Sequence, residues 1–190
     1  EKQQEQQRLI SETALRIRQS LDLLEVLDRT VKEVRQFLNA DRVLVYQFAA
    51  DMSGTVVAES VVEGCTTCLN TQIEDTCFRS NHGGEYRQGK KRAIADIYNA
   101  GLSKCHIQLL ERFEVKANLV VPILLENQLA EISGFQPVKI DSDRTAFLWG
   151  LLIAHQCSQS RYWQESELNF LDRLAVQIAI GIQQSTALEL

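Results

Sequence analysis

The sequence has no excess of basic residues. Its 20 lysines and arginines are outnumbered by 25 aspartates and glutamates, which gives a formal net charge of -5. A surface without a positive patch is a poor partner for nucleic acid or an anionic membrane, so we expect neither as a ligand. The chain also lacks a hydrophobic run near the ~20 residues that span a bilayer, and residues 1 to 8 are too polar for a signal peptide. We therefore predict a globular domain that works in the cytoplasm, with no membrane contact in this fragment.

The cysteines are too few and too irregular for either a disulfide framework or a zinc site. Five is an odd number, and a chain of 190 residues with 45% hydrophobic residues can build a core without covalent staples. Cys65 and Cys68 have C-x-x-C spacing, but no second pair or H-x-x-x-H follows to complete four metal ligands. We predict free, individually placed thiols and no metal site.

Long helices are expected at both ends of the chain, because apolar residues recur there every three or four positions. At the start, Ser20 precedes a new apolar run as an N-cap would, which predicts two helices that meet near Gln19. Residues 1–20 are then a linker helix and residues 21–190 the domain itself. A last helix is predicted over about 164–189. The terminal helices either cover a sheet or form an intermolecular bundle, and the pattern does not decide between these arrangements.

The middle of the chain has the composition of an antiparallel sheet. β-branched and aromatic residues fill short runs that are separated by turn residues, and one stretch between them has helical spacing. Pro122 weakens one strand prediction, because proline donates no ladder hydrogen bond. An insertion over about 130–146 interrupts the last hairpin. The class is α+β, with strands predicted at 41–50, 55–62, 92–97, 118–125 and 147–156 and a helix at 102–113.

Two cysteines lie in sequence contexts that favour a reactive or functional thiol. Cys105 falls in the first turn of the predicted helix at 102–113, where unpaired backbone N–H groups favour the nucleophilic thiolate. Cys77 lies in a long polar excursion over 63–91, and long irregular segments of compact domains usually carry function. Together they predict a covalently held ligand.

Seven stretches of the sequence resemble one family, the photosensory GAF domains of cyanobacteriochromes, which are bilin-binding relatives of phytochromes. The resemblance extends roughly over residues 21 to 188. It implies a GAF fold with a central antiparallel sheet of five or six strands, flanked by helices. The stretches are DRVLVYQF, GTVVAESV, EDTCFR, EYRQG, ADIYNAGLSKCH, KANLVVPILL and WGLLIAHQCS.

The resemblance gives the two cysteines unequal roles. Asp75-Thr76-Cys77-Phe78 resembles the D-x-C-F signature of the two-cysteine subgroup, and Cys105-His106 resembles the bilin-attachment pair. It implies a photoreceptor that holds phycocyanobilin or phycoviolobilin through a permanent thioether at Cys105. Cys77 would add a second, reversible thioether in a blue or violet state. Light would isomerise ring D between Z and E, open that bond and produce a green or teal state.

The resemblance also implies the remaining chromophore contacts. The pyrrole nitrogens would meet Asp75 and His106, and Tyr86, Lys90 and Arg92 would hold the two propionates. The sequence departs from the family in its insertion at 130–146 and in Glu85, which stands where relatives often have a basic residue. The other predicted contacts are Phe78, Leu109 and His155.

Other functions stay open on the residues alone. Some GAF domains are thiol enzymes that reduce free methionine sulfoxide, and others bind ligands or dimerise without a chromophore. We expect a non-enzymatic sensor fragment of a longer polypeptide. It would signal through its terminal helices to an output domain, and those helices are also the predicted site of a homodimer.

Overall fold

The fold combines a sheet with helices at both ends of the chain. The computed structural model describes residues 1–19, 22–49, 51, 53–73, 89–126 and 136–188. Within these ranges the helices are α1 (Lys2–Gln19), α2 (Leu23–Leu38), α3 (Lys104–Arg112) and α4 (Glu165–Leu188), with a 3-10 turn at Ile97–Asn99. The strands are β1 (Arg42–Phe48), β2 (Gly54–Val61), β3 (Gln72–Ile73), β4 (Arg92–Ile94), β5 (Ala117–Leu125), β6 (Gln136–Lys139) and β7 (Thr145–Gln156).

The strands form one antiparallel sheet in the order β3-β2-β1-β7-β5-β4, and β6 pairs with the start of β7. This confirms the predicted α+β class, the β1–β2 hairpin and the two apolar strands β5 and β7. The described sheet has seven strands instead of five or six. The additional strands, β3 and β6, are short, and β6 occupies part of the insertion predicted at 130–146, so that segment is not all loop.

The two faces of the sheet have different coverings. Because successive side chains of a strand point to opposite faces, Val43 and Val45 of β1 join the main core with α1, α2 and α4. Leu44 and Tyr46 of the same strand belong to a second, smaller cluster on the other face. The terminal helices therefore cover one face, and the opposite face is left for α3 and a cavity.

The break between the first two helices lies where the sequence predicts it, at Gln19, but the N-cap of α2 is Asp22, which accepts a 3.3 Å hydrogen bond from the Glu25 backbone N–H. A carboxylate at this position also complements the helix dipole; Ser20 lies outside the described residues. A Cβ on Gly181 would come within 2.9 Å of Ile17 Cγ2, so this glycine lets α1 lie close against α4.

Pro122 is accommodated inside β5 by the limited length of its neighbour. Strand β4 pairs with residues 118–120 of β5 only, and Pro122 pairs with Leu151 of β7 beyond that point. The missing N–H therefore costs no bond to β4. Among the described helices, none is long and apolar enough to cross a membrane.

Candidate functional site

A cavity lies between α3 and the sheet face that the terminal helices leave uncovered. Its enclosed volume is about 70 Å³, which is smaller than the ~300–1,000 Å³ typical of small-molecule sites. The wall is mostly apolar and carries a few polar groups, as such sites usually do. The lining residues are Leu44, Tyr46, Val56, Cys68, Ile73, His106, Leu109, Leu110, Phe113, Asn118, Val120, Leu151, Ile153 and His155.

Helix α3 brings two of the predicted site residues to this cavity. Ser103 caps the helix, and its hydroxyl accepts a 3.2 Å hydrogen bond from the His106 backbone N–H. His106 and Leu109 then line the cavity. Cys105, beside His106 in the first turn, is an exposed residue. The N-terminal turn of α3 therefore stands at the edge of the cavity.

Cys105 is not the free thiol that the sequence predicts. It is disulfide-bonded in this structure. Cys65, Cys68 and Cys157 are free, as predicted. Cys105 would need reduction before its sulfur could attack a ligand, since the thiolate is the nucleophile.

His155 is the third predicted residue in the cavity wall, and it is buried at the end of β7. Its Nδ1 lies 3.2 Å from Nη1 of Arg42. Burial, and to a smaller extent the nearby Arg42 charge, together lower the pKa of His155 to about 3. The imidazole is therefore neutral at physiological pH.

Asn118 is a polar wall residue that the sequence did not single out. It is paired in register with His155 across β5 and β7, and only 3% of it is exposed. Its Oδ1 has no hydrogen-bond partner among the described residues. A buried acceptor of this kind lowers the stability of the folded protein unless a ligand or a water molecule donates a hydrogen bond to it. This oxygen fits a ligand with N–H groups, as a linear tetrapyrrole has.

The predicted propionate contacts lie nearer the edge of the sheet. Arg92 of β4 is opposite Val120, which lines the cavity, so its side chain is on the cavity face; it donates a 3.1 Å hydrogen bond to the Ala100 carbonyl. Lys90 is exposed just before this strand. The predicted contacts Asp75, Cys77, Phe78 and Tyr86 lie outside the described residues.

A buried ion pair, absent from the sequence prediction, supports one end of the cavity. Arg42 is 0% exposed, and its Nε lies 3.1 Å from Oε2 of Glu59. The same carboxylate accepts a 2.8 Å hydrogen bond from the backbone N–H of Cys68, a wall residue. One feature of the sequence could have indicated this ion pair: Arg42 is a charged residue at the start of an otherwise apolar strand.

The free cysteines near this ion pair do not form a metal site. Burial raises the pKa of Cys68 to about 12 and that of Cys157 to about 12, so both are thiols at neutral pH. In the part of the chain that the structure describes, no three His, Cys, Asp or Glu side chains are grouped to hold a metal ion.

Comparison with known proteins decides the family. The model of the GAF domain matches residues 22–182. The crystal structure of the blue-light absorbing form of the Thermosynechococcus elongatus PixJ GAF domain is 39% identical, with a TM-score of 0.72 over 88% of this chain and 89% of that chain. The chain belongs to the cyanobacteriochrome GAF domains. The resemblance of the seven sequence stretches is thereby confirmed at the level of the family.

Two further relatives match this GAF domain over nearly its whole length. A phycocyanobilin-bound GAF domain from a cyanobacterial phytochrome has a TM-score of 0.76 and 29% identity, with 96% of each chain covered. A Synechocystis sp. protein that bears the name of a methyl-accepting chemotaxis protein is 40% identical over 97% of this chain but only 16% of its own length. The GAF domain thus spans about a sixth of that relative. The structural neighbours are a blue-light absorbing and a phycocyanobilin-bound GAF domain, which is consistent with the predicted non-enzymatic sensor.

Proposed function

We propose that this GAF domain is a photoreceptor module that binds a linear tetrapyrrole, phycocyanobilin or phycoviolobilin, covalently through Cys105. The observation that carries the proposal is the position of Cys105 in the first turn of α3, next to the cavity residue His106. A thiol there stands at the mouth of a largely apolar cavity that has isolated polar groups. The phycocyanobilin bound to one structural relative supports this choice of ligand.

Different residues in and near the cavity would contact different parts of the ligand. His106 would contact the pyrrole nitrogens, and Asn118 Oδ1 would accept from a ligand N–H. Arg92, on the cavity face of β4, and Lys90 would pair with the propionates. When bound, the tetrapyrrole supplies the visible absorption and a double bond at ring D that light isomerises between Z and E.

We further propose the two-cysteine photocycle for this domain. Cys77 forms a second thioether in a blue or violet state and releases it in a green or teal state. The D-x-C-F sequence and the 39% identity to a blue-light absorbing GAF domain support this proposal. Asp75, Phe78 and Tyr86 would contact the chromophore in the same pocket.

Coexpression with enzymes that make phycocyanobilin tests these assignments. Loading in a reducing cytoplasm keeps Cys105 available for attachment. We expect zinc-induced fluorescence of the denatured protein for the wild type, for Cys77→Ala and for Cys65→Ala, a control cysteine outside the cavity wall. Cys105→Ala should lose it. Cys77→Ala should lose only the blue or violet state.

Two outcomes would refute the assignments. If Cys105→Ala keeps a covalent bilin after illumination that opens the Cys77 thioether, the anchor is elsewhere. If Cys77→Ala keeps the blue or violet state, the second thioether is not the cause of that colour. A colourless wild-type protein after coexpression would refute bilin binding itself.

The domain would signal through its terminal helices to an output domain of a longer polypeptide, and it would act as a homodimer in the cytoplasm. The apolar side chains on the outer surface of these helices support the dimer: Leu15 is 52% exposed, and Val176 and Ile180, one turn apart on α4, are 54% and 39% exposed. Exposed apolar patches of this kind commonly mark interfaces. Val176→Lys with Ile180→Lys should give a monomer by light scattering, whereas Leu69→Lys, an exposed leucine away from the helices, should not; a variant that stays dimeric would contradict the interface.

A further inference from the structure

We propose that Arg42 is a positioning residue for the cavity: it holds His155 in the neutral tautomer whose proton is on Nε2. The cavity wall then presents an N–H donor next to the acceptor oxygen of Asn118. The effect on a bound tetrapyrrole rests on the proposed function, whereas the tautomer itself is a property of the protein alone.

The three residues lie in one row across the sheet. Arg42 of β1 is the register partner of His155 in β7, and His155 is the register partner of Asn118 in β5. Partners in antiparallel strands point to the same face. The row therefore places a cation, an imidazole and an amide side by side on the cavity side of the sheet.

The chemistry of the guanidinium fixes the direction of the hydrogen bond to His155. Arginine carries five N–H donors and no acceptor, so the 3.2 Å contact between Nη1 and Nδ1 requires Nδ1 to accept. A neutral imidazole that accepts at Nδ1 carries its proton at Nε2. The opposite tautomer would point the Nδ1–H of His155 at the Arg42 N–H groups, so the imidazole proton would have no acceptor there.

Arg42 is itself held in place from several directions. Its Nε pairs with Glu59 at 3.1 Å, and its Nη1 donates to the Phe113 carbonyl at 3.0 Å. The other terminal nitrogen donates to the Thr66 carbonyl. The guanidinium therefore cannot rotate away from His155 without breaking bonds to the loop at 66–69 and to the end of α3.

The surroundings leave the imidazole neutral, so the tautomer is the variable that the protein controls. Burial disfavours the imidazolium, and Arg42 adds a like charge beside it. No carboxylate among the described residues bonds to the ring. The titratable and charged groups around His155 are Arg42 of β1, Glu59 of β2, His106 of α3, and Asp41, Cys68 and Cys157 at the end of the sheet.

The fixed tautomer makes the wall selective for one class of ligand group. A donor at His155 and an acceptor at Asn118, paired on adjacent strands, suit a group that offers a carbonyl oxygen beside an N–H, such as a lactam. The terminal rings of a linear tetrapyrrole are lactams. With the proton on Nδ1, both Nε2 of His155 and Oδ1 of Asn118 would be acceptors, and His155 would offer a lactam carbonyl no donor.

Nitrogen-15 NMR of the histidine side chains tests the proposal in the purified protein, before and after bilin loading. The sequence contains three histidines, and a His82→Gln variant together with a His155→Gln variant assigns the resonances. We expect Nε2 of His155 to resonate as a protonated nitrogen and Nδ1 as an unprotonated one, with no titration between about pH 5 and 8.

The variant Arg42→Met with Glu59→Gln removes the donor without leaving a buried charge. Its ratio of Nε2–H to Nδ1–H tautomer should fall by about tenfold or more, because hydrogen bonds from charged donors are the strong ones. Arg35→Lys, which changes an arginine bonded to Ser60 and not to His155, should leave the ratio unchanged. The wild-type tautomer is measured independently, so it still tests the proposal if the double variant does not fold.

The outcomes separate this proposal from the proposed function. A wild-type His155 with its proton on Nδ1, or a double variant with the wild-type tautomer, overturns the role of Arg42 whether or not a bilin is attached. The double variant's loaded form should also shift its absorption maximum at unchanged covalent attachment, and an unshifted maximum would contradict the effect on the ligand. A failure to attach bilin in the wild type would refute the proposed function and leave the tautomer measurement valid.

Discussion

The buried pair of Arg42 and Glu59 gives the sharpest prediction about stability. Their side chains are 0% and 2% exposed, so removal of one partner leaves the other charge inside the protein. Such a change costs about 3–5 kcal/mol. We therefore expect Glu59→Ala to lower the free energy of unfolding by about 3–5 kcal/mol, since the Cys68 and Leu69 backbone N–H groups also lose their acceptor. Glu59→Gln should cost less, because its amide oxygen still accepts.

Urea denaturation is the assay, because urea does not screen charges as guanidinium chloride does. The matched control is Asp172→Ala, which breaks an ion pair with Lys91 whose two side chains are each 38% exposed. A surface pair of this kind contributes about 0.2–1 kcal/mol. If Glu59→Ala and Asp172→Ala cost the same, the ion pair is not the buried structural element that we describe.

Three further predictions concern packing, pH and capping. Gly150→Ala should prevent soluble expression or cost several kcal/mol, since its Cβ would lie 2.1 Å from the Tyr46 carbonyl oxygen; wild-type urea stability would contradict the β1–β7 contact. His155 has a folded pKa of about 3 and is protonated first in the unfolded state, so wild-type stability should fall below pH ~6.5 by up to about 1.4 kcal/mol per pH unit; an equal acid slope in His155→Gln would refute this. Ser103→Ala removes the N-cap of α3 and should cost about 1 kcal/mol, measured by thermal unfolding; an unchanged midpoint would argue against the cap.

The sequence predicts the elements of this fold well, because their patterns are local. The alternation in β1 and β2, the apolar runs of β5 and β7 and the 3.6-residue period of α4 each belong to one continuous segment. Strands β3 and β6 were missed because each is short and depends on its partner for stability. The N-cap of α2 was assigned to Ser20 instead of Asp22, since both residue types suit that position.

The site was predictable where one segment carries its residues. His106 and Leu109 share a helix face, and His155 ends an apolar strand, so each could be proposed from its own segment and the family resemblance. Asn118 and Arg42 could not, because their importance comes from the register of three strands that are distant in sequence. A period of two counted outward from His155 would have placed Leu151 and Ile153 on the same face.

Peptide mapping of the loaded protein tests the central claim most directly. Trypsin cuts after Lys104 and Arg112, so it places Cys105 and Cys77 on different peptides, 105–112 and 43–79. The protein is illuminated to the green or teal state before denaturation and digestion, so that only the permanent bond remains. We predict that the mass of one bilin is carried by the peptide with Cys105. Bilin found only on the peptide with Cys77, or on neither, would contradict the account.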